Sequence, residues 1–180
     1  GEPTPPQTAC TLVITLHWLP QNALPKPAIT LSSWLAALPV LSVTRAQLPS
    51  AKLWPKTALK KNMAGIKAQV DRIFNGQAEI VNNYDWTKDY TFLEFLRDIG
   101  KYINVSYMLG KDIIARRLET GITFAEFSYT LLQGYDFLHL YRTKNCILQC
   151  EGADQWGNIT TGLELIRKIE GKEAYGFTMP

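Results

Sequence analysis

Residues 146–170 of this sequence decide the fold, and they read C-I-L-Q-C-E-G-A-D-Q-W-G-N-I-T-T-G-L-E-L-I-R-K-I-E. Cys146 to Cys150 form a short apolar run that is typical of a buried strand. The polar residues 151–155 then predict a turn, and apolar side chains at helical spacing predict a helix after it. Those helical positions are Ile159, Leu163, Leu165, Ile166 and Ile169. A strand that leads through a polar turn into a helix is the repeating unit of an α/β sheet.

The chain before this unit predicts further helices and a strand. Thr123, followed three residues later by Glu126, fits a capping box at the start of a helix. An apolar stripe continues that helix through Phe124, Phe127, Leu131, Tyr135 and Leu138. Upstream, the same reasoning predicts a helix from Met63 that stops at Asn75-Gly76, a strand at 78–81, a helix at 92–103 and a short helix at 111–118. Alternating strands and helices indicate an α/β sheet, whose ligands bind beyond the carboxyl ends of the strands.

The first third of the chain differs in composition from the rest. Residues 1–62 hold six of the 19 basic residues, one of the 16 acidic residues and nine of the ten prolines. The formal net charge of +3 therefore arises in this region, and it does not indicate a nucleic-acid-binding surface on the remainder. We predict that residues 1–57 form an anomalous, poorly ordered segment and that residues 58–180 form part of one α/β domain.

Cysteine, histidine and hydropathy patterns exclude several classes of protein. Cys146 and Cys150 would lie ~13 Å apart along a strand, which is too far for a disulfide, and an odd cysteine count favours a reducing compartment. The two histidines are distant in sequence and no C-x-x-C pair occurs, so we expect no protein-bound metal. The apolar run 28–43 is interrupted by Pro39 and is shorter than a membrane span of ~20 residues, so we expect no membrane association.

Three polar residues recur on one side of the predicted long helix. Tyr129, Gln133 and Asp136 are spaced i, i+4 and i+7, and therefore share a helix face. Their oxygens can accept hydrogen bonds from an ammonium group, and the carboxylate can also accept one from a hydroxyl. This combination suits a small zwitterion, whereas the alternative is an ordinary solvated helix face.

The turn after the predicted strand offers a second polar wall. Gln149 lies near the end of the strand, and Gly152, Asp154 and Gln155 follow it. Glycine allows close approach of a ligand to the backbone, and a carboxylate can hold ribose hydroxyls. The alternative is a polar strand-to-helix loop with Asp154 near a helix N-terminus. Together the two walls predict a pocket without naming its ligand.

Five longer motifs occur in order along roughly the last two-thirds of the chain. They are N-N-Y-D-W at 82–86, F-L-R-D-I-G-K at 95–101, R-L-E-T-G-I-T-F-A-E-F at 117–127, F-S-Y-T-L-L-Q-G-Y-D-F-L-H-L-Y at 127–141 and L-Q-C-E-G-A-D-Q-W-G-N-I-T-T-G-L-E-L-I-R at 148–167. Together these motifs closely resemble the tyrosyl-tRNA synthetases of bacterial type. The resemblance implies a Rossmann-like class I synthetase catalytic domain that is incomplete, because its first βα unit is not recognisable.

The resemblance also implies a function and a set of site residues. The family joins L-tyrosine to tRNA-Tyr in the cytoplasm, as a homodimer that uses ATP as a substrate with Mg²⁺. Tyr129 and Gln133 would bind the ammonium of tyrosine, Asp136 would accept the phenol O–H, and Gln149 would border the pocket. The residues that would hold the adenylate are Gly152, Asp154 and Gln155. None of these residues acts as a catalytic acid or base in the family.

Two positions depart from the pattern of the family. Glu151 stands where the resemblance implies glycine, and Ala153 stands where serine is frequent. Both lie in the predicted turn, so the departure concerns the shape of its backbone.

The two ATP signatures of the family, H-x-G-H and K-M-S-K-S, are absent from the chain. One permitted coding of residues 5–18 decodes in a shifted frame to T-A-D-S-L-H-L-G-H-Y-V-A-L, and residues 34–45 decode in the same frame to L-V-G-G-A-T-G-F-I-G-D-P. We therefore expect residues 1 to about 55 to be a frameshifted reading. We also expect the chain to aggregate or to be molten, and to lack tyrosine-dependent ATP–pyrophosphate exchange.

Other interpretations remain open from the sequence. The chain could be a non-catalytic tyrosine-binding or dimerising remnant, with Phe124 either at a subunit interface or in the core. A sister enzyme for tryptophan is disfavoured by Gln133 and Asp136. Arg116 and Arg117 could contact tRNA phosphates, or they could belong to a solvated helix face.

Overall fold

A computed structural model describes residues 12–16, 27–31, 56–76, 78–119 and 121–179. In the first two ranges, and at the start of the third, it describes the backbone alone. The predictions of poor order and of a frameshift for residues 1–57 concern side chains and segments that lie outside the described residues.

Helices and strands alternate along most of the described chain. In order they are β1 (Leu12–Leu16), β2 (Pro27–Leu31), α1 (Lys56–Ile73), β3 (Glu79–Asn82), α2 (Tyr84–Thr87), α3 (Phe92–Asp98), α4 (Val105–Leu109), α5 (Asp112–Leu118), α6 (Phe124–Lys144), β4 (Leu148–Gly152), α7 (Trp156–Glu170) and β5 (Tyr175–Met179). Two 3-10 turns, Gly100–Tyr102 and Ala153–Gln155, complete the set. No helix in the described ranges is long and apolar enough to cross a membrane.

The strands form one mixed sheet in the order β3-β2-β1-β4-β5. The pairs β2–β3 and β4–β5 are parallel, whereas β1 runs antiparallel to both of its neighbours. Parallel neighbours need a crossover between them, and α7 provides it for β4 and β5. The α/β fold class is therefore confirmed.

The expected helix boundaries are partly confirmed. The backbone turns left-handed after α1 at Asn75 and Gly76, with φ of 50° and 68°, so that helix stops where the sequence predicts. The single helix expected at 92–103 is wrong, because α3 ends at Asp98 and a 3-10 turn begins at Gly100. Glycine favours such a break because it gains little from continuing a helix.

The core lies between α6, α7 and the segment 99–114. Its most buried side chains are Ile99, Phe137, Leu138, Leu140, Cys146, Ile159, Leu165 and Ile166. Glycines allow α6 and α7 to approach closely, since a Cβ added to Gly134 would lie 2.8 Å from Thr161 Cγ2 and one added to Gly162 would lie 2.8 Å from Phe137 Cδ1. The apolar stripe predicted for α6 is confirmed at Leu131, Tyr135 and Leu138 but not at Phe124, which is 68% exposed.

The strand β4 lies two residues later than the sequence predicts. Cys146 to Cys150 was the expected strand, but the observed strand is Leu148–Gly152, and its pairing with β5 continues to Gly152 opposite Met179. Glu151 therefore belongs to the strand and not to a polar turn, and it is only 2% exposed. A charged residue after an apolar run is typical of a turn, but here the strand-to-strand hydrogen bonds extend past it.

Candidate functional site

The polar face of α6 is turned towards the interior of the domain. Gln133 and Asp136 are 4% and 7% exposed, and Tyr129 is half-buried one turn earlier on the same face. The alternative of a solvated helix face is therefore wrong. The long helix that follows Thr123 is confirmed; the Glu126 side chain of its predicted capping box lies outside the described side chains.

Asp136 is held by two side chains from the segment after β3. Asn83 Nδ2 donates a hydrogen bond to Asp136 Oδ2 at 2.9 Å, and Trp86 Nε1 donates one to Oδ1 at 2.8 Å. The Trp86 ring also stacks on His139, with ring centroids 4.4 Å apart. We call Asp136, Asn83 and Trp86 the aspartate end of the site.

Burial dominates the electrostatics of the aspartate end. It raises the pKa of the Asp136 carboxyl to about 7, against the hydrogen bonds from Asn83 and Trp86, which lower it. A carboxylate has roughly four lone-pair positions, so each oxygen of Asp136 can still accept one further hydrogen bond. Asp136 can therefore receive a hydroxyl donor from a ligand.

A second buried carboxylate, Glu151, lies beside Gln133 and Gln149. Gln133 Nε2 donates to both oxygens of Glu151, at 3.0 and 2.8 Å, and Gln149 Nε2 donates to Glu151 Oε1 at 2.6 Å. Burial raises the pKa of Glu151 to about 8, and these amide hydrogen bonds oppose the shift. The nearby carboxylates of Asp154 and Asp136 raise the pKa further.

Asn158 extends this cluster to the turn after β4. Asn158 Nδ2 donates to Gln133 Oε1 at 2.9 Å and to Gln155 Oε1 at 2.8 Å. Gln155 Nε2 in turn donates to Asp154 Oδ2 at 2.6 Å. A continuous chain of side-chain hydrogen bonds thus joins α6, β4, the 3-10 turn and α7. We call Glu151, Gln133, Gln149 and Asn158 the glutamate end of the site.

Gly152 lies where β4 meets the 3-10 turn. A Cβ added there would lie 2.7 Å from Asp154 Oδ1, so only glycine leaves that carboxylate in its present position. Both residues are exposed, unlike the glutamate end beside them. The turn therefore offers an accessible carboxylate at the carboxyl end of a strand, where α/β sheets bind ligands.

The structure brings most of the predicted site residues together. Gln133, Gln149, Asp154 and Gln155 share the hydrogen-bonded chain, and Gly152 lies within it. Asp136 interacts electrostatically with the same cluster through Glu151. Tyr129 lies one turn before Gln133 on the same face of α6.

Sequence reasoning missed four side chains of the site: Asn83, Trp86, Glu151 and Asn158. Asn83, Trp86 and Asn158 lie inside motifs that carry the resemblance, but the sequence does not indicate which side chains they contact. Asn83 is fully buried directly after a strand, and a polar residue at a strand end was the one available signal.

The described side chains favour ligand binding through hydrogen bonds. Among them, no group of three or more histidine, cysteine or acidic residues is arranged to hold a metal ion. Carboxylates fixed by amide and indole donors form a rigid set of acceptors. Such a set can orient a polar ligand.

Comparison with known proteins identifies the relatives of this chain. The family model described as tRNA synthetases class I (W and Y) matches residues 41–180. A tyrosine–tRNA ligase of Bacteroides fragilis is 51% identical over 138 residues, which are 71% of this chain and 32% of that protein. A tyrosine–tRNA ligase of Listeria monocytogenes serotype 4b is 53% identical over 135 residues, with 72% and 32% covered.

A solved structure is similar in both sequence and fold. The C-terminally truncated mitochondrial tyrosyl-tRNA synthetase of Aspergillus nidulans is 30% identical, with a TM-score of 0.59, and the match covers 76% of this chain and 45% of that one. The chain spans about a third of the length of the curated relatives that it matches.

Proposed function

The chain belongs to the class I tRNA synthetases of the W and Y family, and from that premise we propose that its buried polar site binds L-tyrosine for a tyrosine–tRNA ligase. In that reaction the tyrosine carboxylate attacks the α-phosphate of ATP, which gives tyrosyl-adenylate and pyrophosphate. The tyrosyl group then passes to a ribose hydroxyl of tRNA-Tyr, and AMP leaves. The groups at this site serve such a reaction by orienting the amino acid.

The arrangement of Asp136 is the observation that carries this proposal. Its carboxylate is buried, is fixed by Asn83 and Trp86, and retains acceptor capacity on both oxygens. A phenol O–H is a donor that can use this capacity, whereas phenylalanine has none to offer. A buried acceptor left without a partner is costly, and this family is itself the established example of that discrimination.

The turn after β4 suits the nucleotide part of the adenylate. The Asp154 carboxylate is accessible and can accept hydrogen bonds from ribose hydroxyls, while Gly152 leaves room for close approach and Gln155 holds Asp154 in place. Mg²⁺ would come with ATP, since this ion is bound largely through substrate phosphates.

Dimer formation, tRNA binding and a cytoplasmic location belong to the same proposal. Phe124 begins α6 and is 68% exposed, which suits a contact with a second subunit better than a place in the core. Arg117 is half-buried on α5, and Arg116 beside it lies outside the described side chains. Contacts of these arginines with tRNA phosphates remain a prediction from the sequence.

Equilibrium dialysis of the 180-residue chain with labelled tyrosine tests the proposal. We expect tyrosine to bind, and unlabelled phenylalanine and tryptophan to compete far less well than unlabelled tyrosine. Asp136→Asn should reduce the preference for tyrosine over phenylalanine by ~10²-fold, because one carboxylate acceptor becomes a donor. Asp89→Asn is the matched control, since Asp89 is an exposed carboxylate near Trp86 in the chain.

The outcome separates tyrosine recognition from general binding of amino acids. Equal competition by phenylalanine and tyrosine in the unsubstituted chain would exclude a tyrosine site at Asp136. An unchanged preference in folded Asp136→Asn would place the phenol elsewhere.

A further inference from the structure

Glu151 is a buried carboxylate to which the described residues supply no counter-charge. Among them, no lysine, arginine or histidine forms an ion pair with it, as the ion pairs of α6 and α7 all lie on the surface. The charged groups that act on Glu151 are Asp154 and Asp136, and both are acidic. An ionised carboxylate buried without a cation is costly, which is why burial raises the pKa of Glu151 to about 8. A ligand that brings positive charge would favour the ionised form.

The hydrogen bonds around Glu151 use the amide donors of its neighbours but leave some acceptor positions unoccupied. Of the roughly four lone-pair positions on its carboxylate, three are occupied by amide N–H groups, and the remaining one is on Oε2. Gln133 Oε1 accepts from Asn158 and has one further position. Gln149 is 2% exposed, and no described donor reaches its buried Oε1. When Glu151 is ionised, the glutamate end therefore has acceptors but no unused donor among the described residues.

A primary ammonium group matches this arrangement. It has three N–H donors, no acceptor and a positive charge, and three acceptor positions are available on Glu151, Gln133 and Gln149. A neutral hydroxyl would leave the carboxylate without a counter-charge. A Ca²⁺ ion would need roughly six to eight oxygen ligands, which exceeds the acceptors present here.

We propose that Glu151 is a specificity-determining residue whose carboxylate, with Gln133 Oε1 and Gln149 Oε1, receives the ammonium group of the amino acid. The inference rests on the proposed function for the identity of that amino acid, but its test uses the ammonium group alone. Removing the charge at position 151 lowers the affinity for ligands that carry an amine. It lowers the affinity for their neutral counterparts much less.

Two probes that differ only in the amine test this inference on the 180-residue chain. Tyramine carries the ammonium group, and 2-(4-hydroxyphenyl)ethanol has a neutral hydroxyl in its place. We expect the unsubstituted chain to bind tyramine at least about tenfold more tightly than the alcohol, and Glu151→Gln to remove that preference. Glu173→Gln, which neutralises an exposed carboxylate, should retain it.

A second measurement uses the unsubstituted chain, so that misfolding of the variant cannot obscure the answer. The carboxyl ¹³C signal of Glu151 is followed against pH, with either probe at saturation. Tyramine should shift the titration of Glu151 to lower pH, because an ammonium group favours the ionised carboxylate, and the alcohol should not. Asp136 on α6, Asp154 in the 3-10 turn and Cys150 on β4 are ionisable groups near Glu151, so their signals are assigned too.

Each result supports the inference or overturns it. Equal affinity for both probes, no binding of either, or an unshifted Glu151 titration with tyramine would overturn it. If folded Glu151→Gln lost affinity for both probes to the same extent, Glu151 would support the packing of the site and would not recognise the amine. If the amine preference depends on Glu151 while tyrosine and phenylalanine bind equally, the proposed function fails and this inference stands. The opposite outcome is also possible: the chain prefers tyrosine over phenylalanine, but Glu151→Gln does not change the preference for tyramine over the alcohol. That outcome overturns this inference and leaves the proposed function standing.

Discussion

The aspartate end and the glutamate end of the site bury their carboxylates in different ways. The partners of Asp136 come from residues 83–86, and none of them is a predicted ligand-binding residue. The partners of Glu151 are Gln133 and Gln149, which are both predicted to contact the ligand. One carboxylate is thus held by the scaffold, whereas the other holds the ligand-binding amides. A substitution at Asp136 should therefore change the recognition of one ligand group, and a substitution at Glu151 should alter the site itself.

The largest expected effect is the loss of phenol recognition in Asp136→Ala. This change removes the acceptor and leaves the donors of Asn83 and Trp86 without their carboxylate. We expect the tyrosine-to-phenylalanine affinity ratio to fall by ~10²-fold or more, which corresponds to about 3 kcal/mol. Competition dialysis measures this ratio, and Glu151→Gln should change it far less, because phenylalanine and tyrosine carry the same amine. Similar ratios in the two variants would remove the distinction between the two ends.

A somewhat smaller effect is expected from the contact between α6 and α7, on which both ends depend. In Gly134→Ala the new methyl group would lie 2.8 Å from Thr161 Cγ2 and 3.1 Å from the backbone nitrogen of Gly162. Because backbone cannot move aside cheaply, the free energy of unfolding should fall by about 2 kcal/mol. Urea denaturation followed by tryptophan fluorescence measures the loss.

Gly65→Ala is the matched control for this prediction. Gly65 is exposed on α1, and a Cβ added there meets no atom within 4 Å. Alanine should stabilise that helix by about 0.5–1 kcal/mol. A Gly134→Ala variant as stable as the unsubstituted chain would show that α6 and α7 are not in close contact.

Stability against pH should distinguish the two carboxyl groups. Burial raises the pKa of Asp136 from 3.8 to about 7 and that of Glu151 from 4.5 to about 8, so the folded protein binds more protons than the unfolded chain between these limits. Their contribution is therefore fully present near pH 4 and is lost as the pH rises through about 7 for Asp136 and about 8 for Glu151.

We expect the free energy of unfolding to fall by on the order of 2 kcal/mol per group between pH 5 and pH 9. Asp136→Asn should make the fall shallower below about pH 7, and Glu151→Gln should both make it shallower and remove the part that continues from about pH 7 to about pH 8. Urea denaturation at a series of pH values measures both changes. Stability that rises over this range would contradict the burial of both carboxylates.

The smallest expected effect is that of Trp86→Phe. This change removes one of the two donors to Asp136 but retains an aromatic ring to stack on His139. We expect a loss of about 1 kcal/mol in the free energy of unfolding, the usual contribution of one hydrogen bond. Trp156→Phe, at a tryptophan that is 49% exposed, is the control and should cost less. An equal cost for both would mean that the indole bond to Asp136 adds nothing.

The sequence predicts the polar face of α6, but it predicts neither end of the site in full. Periodicity places Tyr129, Gln133 and Asp136 on one face of α6, because that relation depends only on the helical repeat. It does not give the burial of that face, which results from packing against α7 and β4. Likewise, Asn83 and Trp86 reach Asp136 across 53 and 50 residues of sequence, a distance over which local patterns carry no information.

Glu151 illustrates a different limit. An acidic residue after an apolar run is typical of a turn, and the sequence alone therefore ends the strand at Cys150. In the fold the strand continues to Gly152, since β5 pairs with it, and two glutamine amides satisfy the buried carboxylate. The pairing with β5 and the Gln133 amide come from other elements, so no pattern within residues 146–155 could have revealed them. Only the Gln149 amide lies within that range.

The indole N–H signal of Trp86 gives the most direct test of whether tyrosine places its phenol at Asp136. In a ¹H–¹⁵N spectrum of the 180-residue chain, this signal is identified by its disappearance in Trp86→Phe. Saturating tyrosine should shift it, because the phenol joins the carboxylate that Trp86 already contacts, while phenylalanine at the same concentration should not. The signal of Trp156 serves as the internal reference. A Trp86 signal that stays in place when tyrosine is bound would contradict the assignment of this site.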